Sequence, residues 1–345
     1  MFQQKYFFLQ FRRKVLKMRT RNIFLYISGF LTVLVVCGSW GFLVHRTVNQ
    51  LAIYELPGNL RGFFFQNIDY MVKNAPRPDL RRNQDSTEAT KHFIDLEMYG
   101  DSAGWKMPMQ WEDAVRVYSK DSLLKYGYLP YLIMRVKDSL TTAFSRGIKD
   151  SILFYAADLG HYIGDAHVPL HSTVNYDGQL SNQRGLHSLW ESMIPELEID
   201  KYDLSSKHKA KYLDRPEEEV WKAIRQSYSL LNDVFLQEKE ASKNFVDSTK
   251  FRTQVRRGRE VKSYTPAFAA AYSERLGKSI NVQLTRSADL IADFIYTAWV
   301  DAGKPNLINI TKKEKKEIKK QVKAFRKNEL IRDSLLLSRK ISFSE

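Results

Sequence analysis

Cysteine is nearly absent from this chain. The single Cys37 among 345 residues excludes a disulfide within the chain and any cysteine-based zinc site. Long apolar runs are missing too. The one uncharged apolar stretch of note, residues 23–36, is fourteen residues long, short of the roughly 20 that a membrane-spanning helix needs. No Pro/Gly/Ser-rich linker and no internal repeat interrupts the sequence, so nothing marks a boundary between two folded domains. Acidic residues are absent from residues 1–21, which hold seven Lys/Arg, and outnumbered in residues 305–345, with twelve Lys/Arg against five acids. These ends account for nearly all of the net charge of +15, and the middle of the chain is close to neutral. A nucleic-acid-binding domain usually clusters its basic residues on the folded body; here the basicity is terminal.

The N-terminus has the order of a targeting segment. A basic region ends at Arg21, the apolar stretch follows, and the small residues Cys37, Gly38 and Ser39 come next. This suits a signal peptide with cleavage after Ser39, leaving Trp40 as the mature N-terminus. An uncleaved anchor with the rest of the chain outside is the alternative. Lipidation at Cys37 is a third, although Val36 before it suits that poorly. All three place the body of the protein outside the cytoplasm.

The remaining sequence reads as helical. Helical regions are expected over 41–74, in two helices over 110–148 broken near Gly127 and Pro130, and over 148–168, 186–194, 217–240 and 265–302. Ile152, Tyr155, Ala156, Leu159 and Ile163 recur at helical spacing, and Pro169 ends that helix. Residues 75–92 and 172–185 read as loops. A basic helical tail is expected over 311–340, with Ile318, Val322, Phe325 and Leu330 as a thin apolar stripe. No segment alternates with strand period, so the expected class is all-α. Three segments follow: 1–39 as signal peptide or membrane anchor, 40–304 as the functional domain, and 305–345 as the tail.

Histidine is scarce, with seven in the chain, yet four of them fall between positions 161 and 187. His161 and Asp165 stand four residues apart on an expected helix, which stacks them on one face. His187 and Glu191 repeat the spacing, and His171 follows Pro169 between the pairs. A single His/acid pair is an ordinary helix-surface contact. Two pairs plus His171 within 31 residues form instead the mixed imidazole–carboxylate donor set of a hydrolytic zinc site. His167 lies off the face shared by His161 and Asp165 and reads as a supporting or surface residue. Trp190 and Tyr162 read as core aromatics.

This pattern, H-x-x-x-D, P-x-H and H-x-x-x-E, resembles the bacterial zinc-dependent phospholipase C family and the related fungal and plant single-strand nucleases. Trp40-Gly41 with His45 resembles the start of those enzymes, whose N-terminal Trp binds zinc through its amine and carbonyl. Otherwise Trp40 reads as a membrane-interface aromatic. His92-Phe93-Ile94-Asp95 resembles the nuclease branch, and Pro78-Asp79 lies where a family aspartate is expected, with Asp69 and Asp85 as rivals. Asp95 itself reads as a supporting or salt-bridging residue. The resemblance implies a single helical domain and three zinc ions. The first would take Asp79, His92, His161 and Asp165; the second His171, His187 and Glu191; the third the Trp40 backbone, His45 and the shared Asp165. It also implies phosphodiester hydrolysis by an activated water, with Asp79 and Asp165 as the catalytic acids. Glu191 and the short gap between His171 and His187 favour the phospholipase branch, while the His92 motif favours the nucleases. The near-neutral middle of the chain also disfavours nucleic acid, so the expectation is a phospholipase C-like enzyme acting on phospholipid, with a single-strand nuclease acting on nucleic acid as the alternative. Contact with a membrane surface is open, and no protein partner is expected. The alternative of another class is a non-catalytic, membrane-attached metal-binding protein.

Overall fold

A computed structural model describes residues 41–256 and 259–341. The leader or anchor expected over 1–39, and Trp40 after it, lie outside the described residues. The first helices are α1 (Phe42–Glu55), α2 (Gly58–Gln66), α3 (Ile68–Asn74) and the short α4 (Arg77–Arg81). After a stretch of turns come α5 (Trp111–Tyr118), α6 (Lys120–Tyr126), α7 (Leu129–Arg146) and α8 (Lys149–Ala166). The C-terminal half adds α9 (Pro216–Ser229), α10 (Leu231–Ser242), α11 (Pro266–Leu276), α12 (Ser279–Asp301) and α13 (Lys312–Arg326).

Among the described residues the fold is all-α apart from one antiparallel hairpin, β1 (Phe251–Arg256) and β2 (Arg259–Tyr264), paired in register from Phe251 opposite Tyr264. The hairpin corrects the expectation of no strand. Its exposed positions are polar or charged apart from Val255, and Tyr264 is buried among aromatics of α11, so short-range alternation is weak. Residues 110–148 hold three helices rather than two. Ser119, with φ 67°, ends α5 and accepts the Ser122 amide to cap α6. The expected single helices over 217–240 and 265–302 each divide, the second at Gly277. The tail helix ends at Arg326, where Asn328 turns left-handed at φ 56°, and a last helical turn follows at Leu337–Ile341.

α1, α7, α8 and α12 pack against one another and hold the main apolar core, in which Leu51, Ile53, Phe144, Leu159, Ile163 and Phe294 are fully buried. Each such side chain contributes roughly 1.5–3 kcal/mol through burial. α1 lies so close on α8 that a Cβ at Gly160 would stand 2.2 Å from Asn49 Oδ1, and one at Gly164 would stand 2.9 Å from His45 Nδ1. Only glycine permits that approach. A second apolar cluster, with Leu189, Trp190, Met193, Tyr264, Phe268 and Tyr272, backs the short helical segment around residue 190.

Candidate metal centre

α1 and α8 set the floor of the site. His45 lies in the first turns of α1 and is 1% exposed; its ring stacks on His161 of α8 with centroids 3.9 Å apart. His161 and Asp165 sit one turn apart as the spacing requires, with Nε2 and Oδ2 separated by 3.4 Å. His45 Nε2 reaches Asp165 Oδ1 at 3.5 Å and Glu191 Oε1 at 3.3 Å. Glu191 stands on a wide helical turn, Leu189–Met193, in which the backbone loosens to π-type pairing.

Two turns bring in the remaining groups. His92 follows a 3₁₀ turn, Ala89–Lys91, and its Nδ1 lies 3.0 Å from Asp165 Oδ2, 3.1 Å from His161 Nε2 and 3.7 Å from Asp79 Oδ1. His171 stands in the turn Pro169–Ser172 that follows α8. Its backbone accepts the Ile94 amide at 2.9 Å, and its Nδ1 donates to the His92 carbonyl at 2.6 Å, so the two turns hold each other. His171 Nε2 then lies 2.9 Å from His187 Nε2 and 3.3 Å from Glu191 Oε2, which is also 2.6 Å from His187.

The donor set fits a metal ion. A carbonyl oxygen can only accept, so His161 Nδ1, 3.0 Å from Ala75 O, and His171 Nδ1 both donate. In the neutral rings the lone pairs then lie on Nε2, aimed into the cluster. Fixing a ligand histidine through its other nitrogen is how proteins orient metal ligands. Donor atoms converge in four overlapping groups: His45, Asp79 and His161; His92, His161 and Asp165; His171, His187 and Glu191; His45, Asp165 and Glu191. Neither nitrogen of His45 has a hydrogen-bond partner among the described residues, although the ring is buried. A shared cation would satisfy what the protein leaves open.

The electrostatics agree. Burial alone would raise Asp165 and Glu191, but the histidines around them hold both well below the usual carboxylate range. Burial would lower His92 and His171; the carboxylates overcome it and push each up to about 9. His161 goes the other way, down to about 3, through burial and the neighbouring His45.

Asp79, on α4, faces His92 and His161, while the rival Asp69 is exposed on α3 and Asp85 is taken up by Thr87 and Lys91. Asp95 forms no ion pair among the described residues, and burial followed by Glu97 pushes it up to about 6. His167 is not a surface residue. It is buried, with Nδ1 donating to the Ile163 carbonyl at 2.8 Å, and burial lowers it to about 4. Trp190 is a core aromatic as expected, whereas Tyr162 does more.

A charged layer that the sequence did not announce lies behind His92. Glu88, 1% exposed, accepts the Tyr162 hydroxyl, Arg81 at 3.1 Å and Lys91 at 2.6 Å, and its Oε1 is 3.7 Å from His92 Nε2. Asp158, on α8, in turn binds Arg77 at 2.5 Å and Arg81 at 2.8 Å. The available signal was the recurrence of Arg77 and Arg81 on α4 and of Asp158 and Tyr162 on α8, each pair four residues apart.

A helical body that converges imidazoles and carboxylates on two shared acids is the build of a metal-dependent hydrolase. No curated protein matches the chain. The family model described as S1/P1 nuclease matches residues 40–297, most of the sequence, and the chain belongs to that family. The family is one of zinc-dependent phosphodiester hydrolases, and its members are typically secreted. No helix among the described residues is long and apolar enough to cross a membrane.

Proposed function

We propose that this protein is a zinc-dependent single-strand nuclease of the exported type. The observation that carries the reading is the convergence of His45, His92, His161, His171 and His187 on the paired acids Asp165 and Glu191, in a chain of this family. Three ions suit the donors: one with Asp79, His92, His161 and Asp165; one with His171, His187 and Glu191; one with His45, Asp165 and the Trp40 backbone. Support for Trp40 comes from its neighbour. Gly41 is buried, and a Cβ on it would lie 4.0 Å from Glu191 Oε1. Cleavage after Ser39 would free the amine there.

Zinc held in such a site supplies positive charge to a phosphoryl group and makes water nucleophilic near neutral pH. The chain's own groups do the rest. Asp165 and Glu191, buried and ionised, hold the cluster's charge in place. The side chains of Asp79 and His187 are each 27% exposed and mark the mouth. An opening to solvent favours catalysis over a closed structural site. Asp79 is placed to orient water and accept its proton. Arg82, 3.6 Å from Asp79 and about half exposed, can meet an anionic phosphate oxygen. Tyr176, 51% exposed, packs edge-on against His187 and offers an uncovered ring to a base.

A phospholipase C reading keeps one observation in its favour, Glu191 as the last acid of the motif. Hydrolysis of single-stranded DNA and of phosphatidylcholine, measured in parallel with zinc content, separates the two. The nuclease reading requires cleavage of the strand; turnover of the lipid alone overturns it. Asp165→Asn should lower activity at least a hundredfold and reduce bound zinc, and near-normal activity with full zinc would remove the shared-acid assignment.

A further inference from the structure

α13 is built to be cationic on one side only. Its two acids are engaged: Glu314 closes a capping box with Thr311 and accepts Gln66 at 2.7 Å, and Glu317 accepts Gln321 at 2.9 Å. Ile318 and Val322 turn into the core. Between α13 and the start of α2 runs a groove of about 660 Å³, rimmed by Arg61, Lys315, Lys319, Lys323, Arg326 and Lys327. No carboxylate lines it, and none of the six cations forms an ion pair among the described residues.

A lysine-rich helix face is ordinarily just solvated. This one differs because Arg61 is drawn inward. Its Nε donates to the Leu56 carbonyl at 2.6 Å, and burial together with Arg326 across the groove lowers its affinity for its own proton. Like charges held together over a recess, with no acid to offset them, match an anionic occupant.

We propose that this groove docks the protein on an anionic phospholipid bilayer. Charge complementarity requires an anion, and the walls say which kind. They are Ile310, Ile318, Val322 and the methylene stems of the lysines; among the described residues no aromatic ring lines the groove, and Asn59 is its one neutral polar side chain. A nucleic-acid strand would find nothing to stack on. A headgroup layer meets ammonium groups at the rim and aliphatic stems beneath, the arrangement of a side chain that reaches up to an interface. The groove lies beyond the end of α1 opposite to His45, on the order of 15 Å along the helix axis, and neither Asp79 nor His187 lines it. Residues 310–327 also fall outside the family-matched span of 40–297.

The test uses the full chain with vesicles of phosphatidylcholine alone or mixed with phosphatidylglycerol. The N-terminal segment, with its seven Lys/Arg, would also favour the anionic vesicles, so protection is read relative to lysines elsewhere on the surface. Acetylation of Lys315, Lys319 and Lys323, read by mass spectrometry against Lys222 and Lys243, should fall several-fold on the anionic vesicles only and recover at high salt. Equal labelling on both vesicles overturns the proposal. Protection by a single-stranded oligonucleotide as strong as that by anionic vesicles also overturns it and makes the groove a strand surface. In the Lys315→Ala/Lys319→Ala/Lys323→Ala variant, protection of Lys327 on anionic vesicles should disappear while hydrolysis of a dinucleotide is unchanged. Persisting protection of Lys327 counts against the proposal.

Discussion

His92 and His171 hold protons until about pH 9, because buried carboxylates surround both rings. A metal ion needs those lone pairs, so zinc competes with protons below that pH, and affinity rises with pH up to about 9. Loading the metal-free protein near neutral pH should release about two protons from these rings. Calorimetric titration in two buffers of different ionisation heat measures the number, and no release would show that the rings are already neutral. Glu88 makes a second residue-scale prediction. It faces His92 Nε2 and collects Arg81, Lys91 and Tyr162. Glu88→Gln removes the charge that orients His92 and should weaken zinc binding by roughly 10- to 100-fold. Competition with a chelator reads the change; an unaltered affinity would reduce Glu88 to a packing role. His161, Asp165, His187 and Glu191 were legible in the sequence because each pair lies within one helical turn. Glu88 was not, although Lys91 and His92 follow it by three and four residues, because that stretch reads as a loop and Tyr162 and Arg81 reach it from α8 and α4.

Helix α8 was legible as an element, from its apolar period to its end before Pro169, since packing and local propensity agree there. Nothing in the sequence marks the role of its glycines, although Gly160 and Gly164 decide how near α1 comes. Gly160→Ala should destabilise the protein by about 1–3 kcal/mol, the usual cost of overpacking, because its Cβ would meet Asn49 Oδ1 at 2.2 Å. Combining it with Asn49→Ala should recover part of that loss, a coupling that chemical denaturation of the single and double variants can measure. Strict additivity would mean that the helices simply move apart. The breaks at Ser119, Gly277 and Asn328 were illegible for a related reason: each is a single residue in the left-handed region, where one φ angle ends a helix that composition would continue. The hairpin hid because its buried ring, Tyr264, packs on α11 rather than along an alternating strand face.

At the scale of the whole molecule, the basic C-terminal stretch is tied into the protein rather than hanging from it. Phe325 stacks obliquely on Tyr54 of α1 at 5.5 Å, and the Tyr54 hydroxyl donates to Gln321 at 2.9 Å. Further along, Gln50 donates to the Leu335 carbonyl at 2.7 Å and accepts the Leu337 amide at 2.8 Å, and Thr47 meets the Ser338 hydroxyl at 2.8 Å. Thr47, Gln50 and Tyr54 all lie on α1, the helix that also presents His45, and all three are buried. The sequence showed the apolar stripe of this stretch but not what it covers, because its partners stand more than 260 positions earlier. Removing residues 305–345 would therefore bare one side of α1 and leave buried polar groups without partners, each costing about 1–3 kcal/mol. The truncated chain should melt well below the full protein and lose zinc from the group that includes His45 first. Phe325→Ala, which leaves the charge intact, should cost about 3–5 kcal/mol as a buried aromatic truncation. The triple lysine variant of α13 changes only exposed positions and should melt within a few degrees of wild type. Thermal melts of the three variants separate the two duties of this stretch. If truncation left the melting temperature unchanged, the contacts on α1 would contribute nothing, and the placement of His45 would have to rest on α8 alone.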